Sequence, residues 1–316
     1  MKKNILICGA TGFIGKNIAL NLCLNKNYKV SCTYNKKKPY FNKNLNWIKI
    51  DLRKRNKLNR ITKGIDIIIQ AAATTSGVKT IIQKPYEHVT DNVILNSLLL
   101  ESAYINKVKH FIFFSCSVMY QSSNKPLRES DFDSNNEIHE NYFGAANTKL
   151  YIEKLCNFYS RIGITKFTCI RHSNIYGQND KFDLQKGHFL AATIKKVFSK
   201  KKEIIVWGDG SERRDLLHVN DLINFVKLVI KNQKVKFRIY NCGYGKSFSI
   251  KELLSKIIYF SKKDKKVIFD KLKPTIKTFV CLNSALAHKE LKWKKKININ
   301  EGIQNTIKWY SDNYNK

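Results

Sequence analysis

The N-terminal half of the chain alternates short apolar runs with longer stretches of mixed polarity. Asn4–Cys8 is an apolar run of strand length, and after a cluster of glycines an amphipathic stretch runs to Leu24. Tyr28–Tyr34 reads as a second strand, Trp47–Ile50 as a third ending at Asp51, and Ile65–Ala73 as a fourth with the turn or cap residue Asp66 near its start. Asp91–Val108 places Val93, Leu95, Leu98, Leu99 and Ala103 at helical spacing, and His110–Ser115 is a buried type of strand. Thr148–Ile162 repeats the helical signal with Leu150, Ile152, Leu155, Cys156 and Tyr159, and Lys166–His172 is the next strand. Alternating strands and helices predict parallel pairing through right-handed crossovers, hence an α/β, doubly wound parallel sheet. After Gly177 turns and short elements take over, including Val206-Trp-Gly-Asp-Gly210. Residues 1–177 are expected to form the sheet domain, with some later segments returning to it, and 178–316 mainly a smaller α/β substrate-binding lobe.

Gly9, Gly12 and Gly15 give GxxGxxG directly after the first strand and at a helix start. Without side chains there, backbone N–H groups and the helix N-terminus can approach a pyrophosphate, and the last glycine lets helix and strand pack closely. This predicts a Rossmann-type dinucleotide site involving Gly9, Thr11, Gly12, Phe13 and Ile14. An acidic residue after the second strand would bond the ribose 2′-hydroxyl of NAD, whereas a cation would favour the 2′-phosphate of NADP. The chain reads Thr33-Tyr-Asn35-Lys36-Lys-Lys38, with no carboxylate, so NADP(H) is expected over NAD(H), with Asn35 and Lys36 at the ribose.

Composition adds constraints. In 316 residues, 58 Lys+Arg stand against 24 Asp+Glu, a formal net charge of +34. Such a charge invites a nucleic-acid or anionic-membrane partner, but the lysines lie in separate surface-type segments with no nucleic-acid-binding signature, so composition drift is the reading and no nucleic acid is expected. The eight cysteines are scattered singly without a CxxC pair, which argues against a zinc or disulfide framework. No run has the length of a bilayer span and the N-terminus leads into the glycine pattern, so a cytoplasmic protein without membrane association is expected.

Together with the glycine turn, Ala71-Ala72-Ala73, Ser115-Cys-Ser117-Val-Met-Tyr120, Thr148-Lys149, Arg171-His172-Ser-Asn174-Ile-Tyr-Gly177, Arg214-Asp-Leu-Leu-His-Val-Asn-Asp221, Tyr240-Asn-Cys-Gly-Tyr-Gly245 and Leu291-Lys-Trp293 make the whole chain resemble the extended short-chain dehydrogenase/reductase family of nucleotide-sugar epimerases, dehydratases and reductases. Asn174–Asp183 and the following Gly187-His188 look most like the GDP-L-fucose synthase subfamily. The resemblance implies a nucleoside-diphosphate sugar, GDP-linked, bound between two lobes. Arg214 would contact its diphosphate and Lys196 is a second candidate for that anion, with Ser117, Asn174, His188 and Trp207 also at the substrate. Asp51 and Leu52 would meet adenine, and Ala71–Ala73, Lys149, His172 and Asn174 the rest of the cofactor. Arg171 would pair structurally. Family members often dimerise through two helices per subunit, here Asp91–Val108 and Thr148–Ile162.

The departures carry as much information. The family exchanges a proton at the sugar through a Tyr, with a Lys one helical turn later lowering its pKa and a Ser or Thr completing the set. Lys149 suits the lysine, but four residues earlier stands Ala145. Tyr142 precedes Lys149 by two helical turns, roughly 10 Å, and is expected to substitute only if the preceding loop folds back. The Ser/Thr place holds Cys116, so Cys116 or Ser117 must share that role, and Val118 stands where the fucose synthase has its acid/base cysteine; His188 matches the other acid/base group. Double epimerisation would lack a partner, and dehydration lacks its acidic pair. The expectation is an NAD(P)-dependent nucleotide-sugar oxidoreductase or epimerase working at C4 in glycan precursor synthesis, impaired or altered by Ala145. The alternative is a non-catalytic nucleotide-sugar or dinucleotide-binding protein.

Overall fold

A computed structural model describes residues 2–74, 84, 86, 89–184, 187–273 and 278–314. Its centre is a seven-stranded, wholly parallel sheet built from β1 (Lys3–Cys8), β2 (Tyr28–Tyr34), β3 (Leu45–Lys49), β4 (Ile67–Gln70), β5 (His110–Phe114), β6 (Lys166–His172) and β10 (Phe237–Cys242). The order is β10-β6-β5-β4-β1-β2-β3, so the chain reverses its direction of travel between β1 and β4. Register follows Ile5↔Ile67 and Cys8↔Gln70 on one side of β1 and Ile7↔Cys32 on the other.

Alternation along each strand sends side chains to two cores. Ile5, Ile7, Ile67, Ile69, Ile112, Phe114 and Ile170 pack under α1 (Phe13–Leu22) and α6 (Val219–Asn232), together with Trp293. Leu6, Cys8, Ile68, Phe111, Phe113, Phe167 and Cys169 face α2 (Arg55–Thr62), α3 (Thr90–Ile105) and α4 (Phe143–Ile162). The doubly wound sheet expected from the apolar pattern is the observed one. Helix α4 is longer than its apolar spacing suggests: it begins at Phe143, not Thr148, because Gly144, Ala145 and Ala146 continue the helix without supplying a wide apolar stripe.

A third core, around Tyr176, Phe182, Ile194, Leu216, Leu253, Ile257 and Ile303, joins the remaining elements. It contains a small sheet of β7 (Asn174–Tyr176), β9 (Arg213–His218) and β11 (Ser247–Ser249), a parallel pair of β8 (Glu203–Trp207) and β12 (Lys266–Asp270), and α5 (Phe189–Val197), α7 (Ile250–Ser261) and α9 (Ile299–Tyr314). Strand β7 follows β6 after one residue, so the carboxyl edge of the large sheet continues into the third core. Asn17 on α1 donates to the Gln178 carbonyl at 2.9 Å and accepts from Asn179 at 3.1 Å, tying the turn after β7 to the glycine-bearing helix.

Candidate active site

Two recesses open along the carboxyl edge of the large sheet. The first, about 360 Å³, lies where the strand order reverses, the place at which α/β sheets bind ligands. Gly9, Thr11, Gly12, Asn35, Lys36, Asp51, Leu52 and Ala71–Ala73 line it, as the sequence suggests; Thr33, Tyr34, Lys37, Arg53, Thr74 and Asp91 complete the wall. Gly9 has φ +74° and a Cβ there would sit 2.6 Å from the Ala72 backbone; one on Gly15 would meet the Gly9 carbonyl at 2.4 Å. Strand, turn and helix therefore touch through backbone alone. Gly12 opens α1 with no side-chain cap and no acidic residue in the first turn, which leaves the N–H groups of Phe13 and Ile14 and the positive end of the helix dipole for an external anion. A dinucleotide pyrophosphate fits that donor set.

At the outer end of this cleft Arg53 bonds both Asp51, at 2.8 Å, and Asp91, at 2.8 Å. Arg53 holds Asp51 down to a pKa of about 2. Lys36 and Lys37 on the rim are exposed. Neither Arg53 nor Asp91 stands out in sequence, since an Asp-Leu-Arg after a strand has no pattern of its own.

The second recess lies beside β5 and β7 and is lined by Ser117, Val118, Tyr120, Tyr142, Asn174, Arg213, Arg214, Thr278 and Val280. Three of the predicted substrate residues, Ser117, Asn174 and Arg214, meet there. Asn174 donates to the Asp215 carbonyl at 3.3 Å, and Arg214 to the Arg213 carbonyl at 2.8 Å. Arg213, not singled out in sequence, is anchored by Ser247 Oγ at 3.1 Å and the Ser247 carbonyl at 2.7 Å. Its neighbour in sequence carried all the motif information, and alternation along a strand would have sent it to the other side.

Beneath this recess Lys149 Nζ donates to the Phe114 carbonyl at 2.8 Å and lies 4.7 Å from the centre of the Phe113 ring. Burial lowers its pKa, against the opposing influence of the Cys116 and Glu153 side chains. Burial raises the Cys116 thiol, against the Lys149 charge. Below them Arg171 makes a bidentate pair with Glu153 at 3.0 and 2.7 Å and donates to the Tyr120 hydroxyl at 3.0 Å, which in turn donates to Asn241 at 2.8 Å. Arg171 is thus a structural partner, as expected. All these groups are buried and satisfied, so they form a stiff floor.

His172 sits nearby, donating Nδ1–H to the Ser173 carbonyl at 2.7 Å; burial, with the Lys149 charge and His188 adding to it, pushes its pKa down to about 4. His188, the residue before α5, lines neither recess, and the protein packed around it lowers its pKa. Ala145 lies on α4 one turn before Lys149, half-buried. The remaining predicted substrate residues are placed elsewhere. Lys196 donates to the Ile205 carbonyl at 2.9 Å, and Trp207 is an outward-facing, 41% exposed residue of β8; neither lines the two recesses. The described residues hold no cluster of three or more His, Cys, Asp or Glu able to bind a metal, and none of their helices is long and apolar enough to cross a membrane.

The chain is similar to known proteins along its length. GDP-L-colitose synthase of Yersinia pseudotuberculosis is 26% identical over 318 residues, taking in 98% of this chain and 99% of that protein. A putative UDP-glucose 4-epimerase of Methanocaldococcus jannaschii is 27% identical over 98% of this chain and 99% of its own. The crystal structure of UDP-glucose 4-epimerase from Thermotoga maritima with UDP-glucose superimposes with a TM-score of 0.88 at 22% identity, covering 98% of this chain and 99% of that one, which establishes the common fold. Residues 5–243 match the model of one family over most of the chain, and with the glycine turn at the point where the sheet reverses they make this protein a member of the NAD dependent epimerase/dehydratase family.

Proposed function

We propose that this protein is an NAD(P)-dependent nucleotide-sugar epimerase or reductase that works at C4 of a GDP-linked hexose, with NADP(H) favoured over NAD(H). The observation that carries the reading is the pairing of the two recesses along one sheet edge. One offers backbone donors for a pyrophosphate; the other offers Arg213 and Arg214 for a diphosphate beside Ser117 and Asn174. A bound nicotinamide supplies the hydride acceptor or donor. Lys149, fixed by the Phe114 carbonyl, would supply the cation of the site, and Ser117, which lines the second recess, would offer a hydroxyl to the sugar oxygen. The cation-rich, carboxylate-free rim at Asn35-Lys36-Lys37 supports a 2′-phosphate, and the GDP assignment rests on the likeness to GDP-L-colitose synthase and on the Asn174–His188 motif.

A homodimer is part of this proposal. Tyr151, Phe158 and Ile162 on α4, with Ile94 and Ile105 on α3, are exposed, and their spacing on α4 forms one stripe along the outer face of paired helices.

Calorimetry with NADP⁺, NAD⁺, GDP and UDP, and mass spectrometry of small molecules retained through gentle purification, test the reading. Tighter binding of NADP⁺ and GDP supports it; no dinucleotide binding overturns it. A second reading, a nucleotide-sugar-binding protein without turnover, is favoured by Ala145, whose methyl group carries no proton. It predicts the same binding and no reaction.

A further inference from the structure

Granting that reading, we infer that Tyr142 is the catalytic proton-exchanging group, reaching the sugar from one helical turn beyond Ala145. The phenol lines the same recess as Ser117, Asn174 and Arg214. No fold-back of the preceding loop is involved. Glu140–Tyr142 form a 3-10 turn, held by Tyr142 N–H donating to the His139 carbonyl at 2.8 Å, that runs directly into α4. Tyr142 and Lys149 are therefore separated by nearly two whole turns of continuous helical backbone and project from the same side of it. A long helical side chain leans toward the N-terminus, so Lys149 covers the turn where Ala145 stands. With only a methyl group there, Tyr142 is the next polar side chain on that side.

The chemistry of the lining selects the same residue. The hydroxyls of Ser117 and Thr278 do not ionise in the working range of proteins, and the Tyr120 hydroxyl is already committed to Arg171 and Asn241. The Tyr142 hydroxyl hydrogen-bonds to no other described residue. The Arg214 charge favours the phenolate and works against the burial that disfavours it.

In the oxidation direction the phenolate oxygen takes the proton of the C4 hydroxyl while the C4 hydrogen leaves with its electron pair for the bound nicotinamide, and a carbonyl remains at C4. In the reverse direction the phenol returns that proton to the carbonyl oxygen as hydride arrives at carbon.

The test compares wild type, Tyr142→Phe, Ala145→Tyr and the double variant, using GDP-4-keto-6-deoxymannose and UDP-glucose as turnover probes and calorimetric titration with GDP and NADP⁺ as an independent readout. Tyr142→Phe is expected to lower kcat by roughly 10²–10⁴-fold, the contribution of a positioned acid or base, and to leave GDP and NADP⁺ affinities within about threefold. A tyrosine restored at position 145 in the Tyr142→Phe background is expected to recover activity, which a merely structural Tyr142 would not allow. Tyr142→Phe at wild-type kcat overturns the inference, and so does a wild type that binds GDP and NADP⁺ but turns over neither probe. Loss of binding in wild type overturns the functional reading itself, a separate outcome.

Discussion

The glycine-lined cleft and the floor around Lys149 sit on the same sheet edge but are built differently. The cleft is made of backbone: Gly9, Gly15 and Ala72 approach so closely that a single added carbon collides, and the donors at the helix start are main-chain N–H groups without a side-chain cap. The floor is made of side chains, with Arg171, Glu153, Tyr120 and Asn241 holding the ground on which Lys149 and Cys116 stand. A backbone site tolerates almost no change of residue yet asks for no particular chemistry. A side-chain site can exchange its reacting groups as long as the floor survives. Val118, where the resemblance would put an acid/base group, lines the second kind of site.

Four changes test this contrast, in descending order of expected effect. Glu153→Leu leaves the Arg171 charge buried without its partner and is expected to lower stability by about 3–5 kcal/mol in chemical denaturation. The double change Glu153→Leu/Arg171→Met should recover much of that, since it removes both charges; failure to recover would mean that Tyr120 and Asn241 depend on the guanidinium for their places. Gly15→Ala is expected to cost about 1–3 kcal/mol through its collision with the Gly9 carbonyl, and to weaken NADP⁺ binding by calorimetry as the turn shifts. A Gly15→Ala protein with unaltered NADP⁺ affinity would break the argument that backbone shape makes that site.

The third change concerns acid. His218 is buried at the start of α6, accepts there from Asn220 N–H, and burial pushes its pKa down to about 4. In the unfolded chain it binds a proton near its ordinary pKa. Its neutral state therefore costs nothing above about pH 6.5, and stability is lost as pH falls from there toward 4. Asn caps helices well, so His218→Asn should keep the cap and flatten the stability profile by about 1.4 kcal/mol per pH unit within that window. An unchanged slope would show that other groups govern the acid limb. The smallest effect belongs to the rim: Lys36→Ala should weaken NADP⁺ binding by about 0.2–1 kcal/mol and leave NAD⁺ unchanged, as an exposed charge on a phosphate does. Equal weakening of both would remove Lys36 from the 2′-phosphate.

Much of this was legible beforehand. The strands Tyr28–Tyr34 and Lys166–His172 were read to the residue, because apolar runs bounded by polar turns leave little freedom in a parallel sheet. The apolar spacing starts α4 five residues late, at Thr148, since Gly144 and Ala145 give no apolar signal, and only the structure shows the turn that bears Tyr142 running directly into the helix. Arg213 and Arg53 were missed because each becomes notable only through partners distant in the chain or on the opposite wall of a cleft. Lys196 and Trp207 were named from motif likeness, and the fold turns them toward β8 and solvent.

By itself, then, the order of apolar runs and glycines determined the parallel sheet, the reversal between β1 and β4 and the glycine turn at that point, because strand alternation and the missing Cβ are local properties written residue by residue. Tertiary structure alone decided which side chains share the second recess. Tyr142, Ser117, Asn174 and Arg214 come from four separate segments, and their meeting depends on how α4, β5, β7 and β9 pack against one another, a property of the whole core that no short stretch of sequence contains.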